Sequence, residues 1–359
     1  MNYESELKDL IQTTLREQAS DLHISAGRHP TLRVSGKLTP LVQKPVLVPE
    51  NTSGLVFAML SEDMRKKFLE ERELDFSYNF EGKARFRVNA YFERGFMAAA
   101  LRLVPVEIKT VADLNLPEIL LDFTKKKQGF FLVVGPTGHG KSTTLASLVN
   151  VINRERFEHI VTIEDPIEFL FTQDKSIIDQ REVGADTNNF HKALRSMFRQ
   201  DVNVAMIGEM RDPETISAAV TAAETGHLIL SSLHTNNASQ TIDRIIDAFP
   251  AAQQNQIRFQ LASSLLGIFS QRLVPRVSGG LIPAYELLIV NTAVRNLIRE
   301  NKTHEIDIVI ETNSELGMIT LNKSLISLVE REEITFDTAM AYSLDPRGLA
   351  GLLGKGKKR

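Results

Sequence analysis

The sequence predicts an α/β protein, with a small α+β domain at the amino terminus, then a core built on a parallel sheet with a helical appendage at its carboxyl-terminal end. Two observations support this prediction. From about residue 111, apolar runs of strand length alternate with helical stretches, which is typical of a parallel sheet covered by helices. Before that point, short alternating segments are mixed with two helical patterns. The length of 359 residues also favours two domains.

The amino-terminal domain is predicted to begin with a helix over Tyr3–Gln18. Leu7, Leu10 and Leu15 recur there at helical spacing and would form one apolar face. The strands of this domain are predicted where apolar and polar residues alternate, because such a strand buries one face. The other predicted elements are strands at Thr31–Val34 and Ala84–Ala90 and a helix over Asn51–Glu71.

The core is predicted to contain a largely parallel sheet followed by helices. Its strands are the apolar runs Phe130–Val134, Ile160–Ile163, Val202–Ile207 and Leu228–Leu230. The chain beyond Phe249 is predicted to be mostly helical. The helices predicted there are Ala251–Leu273, Thr292–Glu300, Thr320–Arg331 and Thr335–Tyr342.

A phosphate-binding loop lies between the apolar strand at Phe130–Val134 and the helical stretch that follows. Its spacing matches G-x-x-x-x-G-K-[ST], in which backbone N–H groups surround the phosphates and the lysine reaches the β- and γ-phosphates. The strand–loop–helix context makes the motif specific, and it predicts that this chain binds a nucleoside triphosphate. The predicted nucleotide-binding residues are Gly135, Pro136, Thr137, Gly138, His139, Gly140, Lys141, Ser142 and Thr143.

Two acidic strand ends follow the phosphate loop and are candidates for hydrolysis. Glu209 comes directly after Val202–Gly208, where many nucleoside triphosphatases place the group that orients water. Glu164 ends the strand at Ile160–Ile163, and ligands bind at the carboxyl ends of strands in open α/β sheets. We expect the hydroxyl of Ser142 to ligate Mg²⁺, with Glu164 and Glu209 contacting the metal through water.

Two histidines, His227 and His234, flank the apolar strand at Leu228–Leu230. Because seven positions separate them, they would point to opposite faces of a regular strand, which argues against a two-histidine metal site. His234 follows the strand and is better placed to sense or stabilise the γ-phosphate. A structural role remains open for either histidine.

Composition excludes several classes of protein. The chain has no cysteine, so it has neither disulfides nor a thiolate metal site, which is compatible with a reducing cytoplasm. No apolar run approaches the roughly 20 residues of a membrane span. The polar, acidic amino terminus argues against a secretory signal. The net charge of −3 disfavours an extensive nucleic-acid groove, so no nucleic-acid partner is expected.

Taken together, the motifs resemble those of the secretion and type IV pilus ATPase superfamily. The four matching boxes are a Walker A loop at Gly135–Ser142, an aspartate box at Thr162–Phe169, an atypical Walker B at Met206–Asp212 and a histidine box at Thr225–Asn236. The resemblance also covers Ser20–Ser25, Ala84–Tyr91 and Ala293–Glu300. One departure is His139, which occupies a position where serine is common and where pH sensitivity is therefore expected.

The resemblance implies more about fold and site than the motifs themselves. It implies a PAS-like domain over residues 1–103, a linker at 104–112, a RecA-like ATPase core over 113–345 with carboxyl-terminal helices, and a flexible basic tail at 346–359. It implies ATP as the nucleotide. It also makes Arg87 and Arg102 candidates for γ-phosphate contacts and His227 a nucleotide-binding candidate. The catalytic residues are predicted to be Glu209, Glu164 and His234.

The resemblance points to the retraction branch of the superfamily. The chain is short and lacks the four-cysteine zinc module that extension and secretion ATPases usually carry. On this basis we expect a homohexameric motor that retracts type IV pili. Its expected partners are an inner-membrane platform protein, the pilus machinery and a paralogous retraction ATPase, and its expected location is the cytoplasmic face of the inner membrane. The alternatives are a pilus-assembly or type II secretion ATPase and a weakly hydrolysing regulatory ring subunit.

Overall fold

The computed structural model describes residues 2–356, and of residues 353–356 only the backbone. The chain forms two compact units that meet in sequence between Pro105 and Val106. Each unit has its own sheet and its own buried apolar cluster. No helix within the described residues is both long and apolar enough to cross a bilayer.

The first unit is an α+β fold built on a six-stranded sheet. The strand order is β3-β2-β1-β6-β5-β4, and all neighbouring strands are antiparallel. The elements are α1 (Tyr3–Arg16), β1 (Asp21–Ile24), β2 (Thr31–Val34), β3 (Lys37–Pro40), α2 (Pro49–Ala58), α3 (Glu62–Glu71), β4 (Glu73–Phe80), β5 (Ala84–Glu93) and β6 (Phe96–Leu103).

The first helix forms where its apolar spacing predicts it. The side chain of Asn2 accepts a hydrogen bond from the backbone N–H of Ser5, which satisfies one of the free donors at the start of α1. Leu7 and Leu10 are almost completely buried in the core of this unit. The helix ends slightly before the predicted limit, and Gln18 adopts a positive φ of 50° in the turn that follows. The predicted strands at Thr31–Val34 and Ala84–Ala90 are also confirmed as β2 and within β5.

The single helix predicted over Asn51–Glu71 is wrong, because the structure has two helices there. The first ends at Ala58 and the second begins at Glu62. Ser61 starts the second helix, since its hydroxyl accepts a hydrogen bond from the backbone N–H of Met64 at 3.4 Å. Ser61 is the signal in the sequence that could have located this break.

The second unit contains a seven-stranded sheet with helices on both faces. The strand order is β13-β12-β7-β11-β10-β8-β9, and only β12 and β13 pair antiparallel. The elements are α4 (Leu121–Thr124), β7 (Gly129–Val134), α5 (Lys141–Glu155), β8 (His159–Glu164), β9 (Ile177–Glu182), α6 (Phe190–Met197), β10 (Val204–Ile207), α7 (Pro213–Glu224), β11 (Leu228–Leu233), α8 (Ala238–Asp247), α9 (Ala251–Ser264), β12 (Leu265–Pro275), β13 (Leu281–Ile289), α10 (Thr292–Arg299), α11 (Ile306–Thr312), α12 (Leu321–Glu330), α13 (Phe336–Tyr342) and α14 (Pro346–Gly356).

Strand β7, which precedes the phosphate loop, is buried along its whole length. Phe130 and Leu132 pack in one cluster with residues of α7, α8 and α9, whereas Phe131 and Val133 pack in another with residues of α5. A strand buried on both faces reads as a continuous apolar run, which is how the four core strands were predicted. All four are confirmed, as β7, β8, β10 and β11. The phosphate loop therefore follows directly from a strand that is buried on both faces.

The helix predicted over Ala251–Leu273 is wrong in its second part. Helix α9 ends at Ser264, and the chain continues as β12, which lies parallel to β7 and carries β13 on its other side. Gly267 fits this close pairing, because a Cβ there would lie 2.7 Å from the carbonyl oxygen of Leu288. Neither β12, β13 nor the edge strand β9 was predicted. The carboxyl-terminal part is thus a mixture of helices and strands that completes the sheet.

Three of the last five α-helices in the described part of the chain form where the sequence pattern predicts them. The helices predicted at Thr292–Glu300, Thr320–Arg331 and Thr335–Tyr342 are confirmed as α10, α12 and α13. Helix α14 occupies most of the segment 346–359 that was predicted to be a flexible basic tail. Residues 357–359 lie outside the described residues.

Candidate active site

The phosphate loop connects β7 to α5 through three glycines with positive φ, which are Gly135, Gly138 and Gly140. Gly135 has φ 145°, and a Cβ there would lie 2.3 Å from the backbone oxygen of Gln271. Gly140 has φ 80° and occupies the N-cap position of α5. Because glycine has no side chain, the first N–H groups of α5 donate no hydrogen bond to a side chain of the cap residue. The free donors at the start of α5 and the positive end of the helix dipole are therefore available to an anion.

The side chain of Lys141 lies across the phosphate loop. Its ammonium group donates hydrogen bonds to the carbonyl oxygens of Gly135, at 3.0 Å, and of Pro136, at 2.9 Å. Only 7% of the residue is exposed, and burial lowers the pKa of the ammonium group, although the carboxylates of Glu168 and Glu209 oppose this. The cation is thus held where β- and γ-phosphate oxygens would meet it.

Three candidate residues from separate parts of the sequence meet at one edge of the sheet. Glu164 ends β8, Glu209 follows β10, and His234 follows β11, and these strands run parallel to β7. The carboxyl ends of parallel strands lie at the same edge, so all three emerge beside the phosphate loop. The structure therefore brings together the three residues predicted to be catalytic.

Glu209 and His234 lie within reach of the phosphate loop. The Nε2 atom of His234 lies 3.5 Å from a carboxylate oxygen of Glu209, and its Nδ1 atom lies 3.2 Å from the hydroxyl of Thr137 and 3.4 Å from Nζ of Lys141. The carboxylate of Glu209 also forms an ion pair with the guanidinium of Arg211. This pairing raises the pKa of Arg211. The group of side chains can therefore contact both a terminal phosphate and an attacking water.

His234 is mainly neutral near pH 7, because its pKa lies below the ordinary value of 6.5. Burial lowers the pKa first and the charge of Lys141 lowers it further, while Glu209 opposes both. A neutral imidazole can donate one hydrogen bond and accept another. Its Nε2–H can therefore donate to the carboxylate of Glu209 while Nδ1 accepts a hydrogen bond from the hydroxyl of Thr137 or the ammonium group of Lys141.

Glu164 is more deeply buried than the prediction required, with only 6% of the residue exposed. Its carboxyl group accepts hydrogen bonds from the hydroxyl of Thr162 at 2.6 Å, the side-chain amide of Gln180 at 3.3 Å and the backbone N–H of Glu168 at 3.2 Å. Burial nevertheless raises its pKa to about 7. Without a bound cation, Glu164 is therefore about half protonated at neutral pH.

Gln271 and His139 take part in building the loop, a structural role that was predicted for neither residue. Gln271 lies on β12, which was predicted as helix, and its side chain donates a hydrogen bond to the backbone oxygen of His139 at 2.9 Å. The ring of His139 accepts a hydrogen bond from the backbone N–H of Leu273 at 2.9 Å. Burial, together with the charges of Arg272 and Lys141, lowers the pKa of His139. It therefore acts as a neutral anchor of the loop.

His227 does not reach the phosphate loop of this chain. It precedes β11, whose first residue, Leu228, pairs with Gly129 at the beginning of β7. The six residues of β7 separate this end from the loop, a distance of about 20 Å. The Nδ1–H of His227 donates to the carbonyl oxygen of Ala222 at 3.0 Å, and its ring meets the edge of Phe198. The prediction that His227 binds the nucleotide held by this loop is therefore wrong.

Arg87 and Arg102 lie opposite each other on adjacent strands of the first unit. The guanidinium of Arg102 donates to a carboxylate oxygen of Asp21 at 2.8 Å, and Arg33 lies 3.7 Å from the other oxygen. Burial alone would raise the pKa of Asp21, but hydrogen bonds from Ser20 and Arg102 hold it below the ordinary value. That Arg87 and Arg102 contact a γ-phosphate stays a prediction.

The oxygen donors at this edge fit a magnesium ion that is shared with phosphates. Ser142 places a hydroxyl in the first turn of α5, and Glu164 and Glu209 lie at the facing strand ends. Within residues 2–356, no three acidic, histidine or cysteine side chains gather into a complete protein cage for a metal. Mg²⁺ does not require such a cage, because it usually keeps several waters and binds substrate phosphates.

This chain is similar in sequence to known proteins over most of its length. A family model described as "Type II/IV secretion system protein" matches residues 2–305. The chain is 41% identical over 334 residues to the type IV pilus retractation ATPase PilT of Pseudomonas aeruginosa, covering 93% of this chain and 97% of the relative. It is 43% identical over 311 residues to a twitching motility protein of Neisseria gonorrhoeae, covering 86% and 83%.

A solved structure shows the same similarity in three dimensions. The crystal structure of the pilus retraction motor PilT with bound ADP superposes with a TM-score of 0.89. The two chains are 46% identical, and the superposition covers 96% of this chain and 98% of the other. The α/β fold class predicted from the sequence is thereby confirmed.

Proposed function

Because this chain belongs to the type II/IV secretion system protein family, we propose that it is an ATPase motor that powers the retraction of type IV pili. The superfamily resemblance stated from the motifs is confirmed by the family match and by the relatives. The names of two relatives and of one similar structure describe pilus retraction or twitching motility. The chain covers almost the full length of these proteins.

One observation carries the hydrolytic part of this proposal. The Glu209–His234 pair lies beside the phosphate loop, with His234 3.4 Å from Nζ of Lys141. The loop and the first turn of α5 bind the phosphates, and Lys141 neutralises charge on the β- and γ-phosphates. Glu209 orients a water for in-line attack, and His234 contacts the γ-phosphate on the other side. Arg211 pairs with one oxygen of the Glu209 carboxylate and His234 lies near the other, and the remaining lone pairs can accept a hydrogen bond from water.

We propose that the reaction requires Mg²⁺, which residues at the edge of the sheet would hold together with the phosphates. When bound, the metal ion would neutralise charge on the β- and γ-phosphates. The hydroxyl of Ser142 is its proposed protein ligand, and Glu164 and Glu209 are proposed to contact it through water. Glu164 loses its proton more readily beside a cation, since its pKa of about 7 reflects burial without a compensating charge.

The mechanical output adds proposals about assembly. We propose a homohexamer, in which Arg87 and Arg102 of the domain at residues 1–103 close over the nucleotide and the linker at 104–112 allows reopening after hydrolysis. The proposed partners are an inner-membrane platform protein, the pilus machinery and a paralogous retraction ATPase. The proposed location is the cytoplasmic face of the inner membrane at the pilus base. The names of the relatives support the pilus machinery as a partner. The homohexamer, the platform protein and the location follow from the superfamily resemblance.

Steady-state ATP hydrolysis by the full chain tests the enzymatic part. Lys141→Ala is expected to abolish turnover by removing the cation from the loop, and Glu209→Gln to lower turnover by about a hundredfold or more while ADP still binds. Lys127→Ala is the matched control, because Lys127 is exposed and lies before β7. Parental turnover in Glu209→Gln would refute the role of this carboxylate.

A complementation assay tests the retraction part separately. Expression in a Pseudomonas aeruginosa strain that lacks its own retraction ATPase is expected to restore twitching, whereas the Lys141→Ala variant is not. An ATPase-active protein that does not restore twitching in this strain, but restores pilus extension in a strain lacking its extension ATPase, would support the alternative motor function. A protein with no turnover that still forms rings would support the regulatory alternative.

A further inference from the structure

Adjacent side chains of strand β12 contact two loops of the proposed ATPase site. One is the phosphate loop, and the other is the segment between β11 and α8 that carries His234. Strand β12 lies next to β7 in the sheet, and Ser270 of β12 lies level with Val134, the last residue of β7. The strand therefore continues past the edge of the sheet, alongside the phosphate loop. Successive side chains of a strand point to opposite faces. The side chain of Gln271 therefore lies on one face of the sheet, and the side chains of Ser270 and Arg272 lie on the other.

On one face, Gln271 ties the phosphate loop to α5. Its side-chain oxygen accepts a hydrogen bond from the hydroxyl of Thr144 at 2.7 Å, and its amide donates to the backbone oxygen of His139 at 2.9 Å. Gln271 is only 3% exposed, so both bonds are shielded from water. The same residue closes the space beside Gly140, where a Cβ would lie 2.9 Å from its amide nitrogen. Gln271 therefore packs against the phosphate loop and holds it by a hydrogen bond on this side.

On the other face, β12 and β13 hold the short segment that carries His234. The hydroxyl of Ser270 donates to the backbone oxygen of Asn236 at 2.8 Å, and the guanidinium of Arg272 donates to its side-chain oxygen at 2.9 Å. Glu286, the cross-strand partner of Ser270, accepts a hydrogen bond from the backbone N–H of Ala238 at 2.8 Å. The segment between β11 and α8 is thereby held at its centre and at its end.

We propose that Gln271, Arg272 and Glu286 are positioning residues of the ATPase site, which together fix the loop of His234 relative to the phosphate loop. This inference rests on the proposed function, because it concerns the geometry of hydrolysis. Residues 135–143 bind the nucleotide, whereas His234 contacts the phosphate that leaves. Gln271 therefore governs nucleotide affinity, and Arg272 and Glu286 govern turnover.

The split between affinity and turnover tests this inference on the full chain. Gln271→Met keeps the length of the side chain but removes both hydrogen bonds, and it is expected to raise the dissociation constant for ADP about tenfold. Arg272→Met is expected to leave ADP affinity within about twofold and to lower kcat about tenfold, since small displacements at a reacting centre reduce rates strongly. Arg272→Lys, which keeps a donor and the charge, is expected to recover part of kcat.

Arg276→Met is the matched control, because Arg276 pairs with Glu333 and with neither loop. It is expected to leave both constants unchanged. If Arg272→Met does not fold, Ser270→Ala removes only the hydroxyl bond to Asn236 and is expected to lower kcat with unchanged ADP affinity.

The inference is overturned if Arg272→Met lowers ADP affinity as much as kcat, which would indicate direct contact with nucleotide, or if it changes neither constant. Unchanged ADP affinity in Gln271→Met also overturns it. A parent that binds ADP without hydrolysing ATP would instead refute the proposed function, and the ADP comparison of Gln271→Met would still decide whether β12 positions the phosphate loop.

Discussion

Replacing Glu286 by glutamine should change how the stability of the second unit depends on pH. Only 7% of Glu286 is exposed, and burial raises its pKa from 4.5 to about 7, with a smaller contribution from Asp307. The hydrogen bond from the backbone N–H of Ala238 lowers the pKa but does not offset burial. Glutamine has nearly the same shape, can accept the same hydrogen bond and cannot ionise.

The size and sign of the effect follow from the difference in pKa. Below about pH 4.5, Glu286 is protonated in both the folded and the unfolded chain, so its ionisation contributes nothing. Between pH 4.5 and 7 the folded state binds more protons than the unfolded state, and its stability falls as pH rises. Above pH 7 the ionised group lowers the free energy of unfolding by about 3 kcal/mol. Glu286→Gln lacks this penalty.

Urea unfolding of the nucleotide-free protein, followed by circular dichroism from pH 5 to 8, measures the effect. The variant should gain about 3 kcal/mol in unfolding free energy over the parent as the pH rises through this range. Glu164, whose pKa is also raised to about 7, is present in both proteins and cancels from the difference. Glu118→Gln, at an exposed position, should show no such trend. A difference that stays constant with pH would refute the reasoning.

Two further predictions concern the phosphate loop and a helix cap. Gly135→Ala should weaken ADP binding by more than about tenfold in calorimetry, because the new Cβ would lie 2.3 Å from the backbone oxygen of Gln271, and unchanged affinity would contradict this. Asn291→Ala should lower the unfolding free energy by about 1 kcal/mol, because the Asn291 side chain accepts a hydrogen bond from the backbone N–H of Val294 at the start of α10. Equal urea midpoints for variant and parent would show that this cap does not stabilise the helix.

The phosphate loop and the strand-end residues could be predicted because their chemistry depends on local sequence. A phosphate loop requires glycines and a lysine at fixed spacing, as in Gly135–Ser142. Glu164, Glu209 and His234 follow buried apolar strands, and the carboxyl ends of parallel strands share one edge. For these residues, identifying the strands was enough to bring them together.

The contributions of β12 and β13 could not be predicted in the same way. Leu265–Pro275 is a largely apolar segment that directly follows helix α9, and short apolar segments fit a buried helix as well as a buried strand. Gln271 and Arg272 therefore remained on a supposed helix. The break at Gly267 was the available signal, but its reason is the tertiary contact with Leu288.

His227 shows the limit of reasoning from motif membership. It lies in the same box as His234, yet the length of β11 places the two histidines at opposite edges of the sheet. The spacing predicted opposite faces of the strand, but the separation along the strand decides which of them reaches the phosphate loop.

A crystal structure with Mg²⁺ and a non-hydrolysable ATP analogue would show whether the phosphate loop and the strand ends form the ATPase site. We expect phosphates on the backbone amides of the loop and of the first turn of α5, with Nζ of Lys141 on the β- and γ-phosphates and His234 and Glu209 beside the γ-phosphate. An analogue bound elsewhere, or a loop that stays empty at saturating concentration, would contradict this expectation.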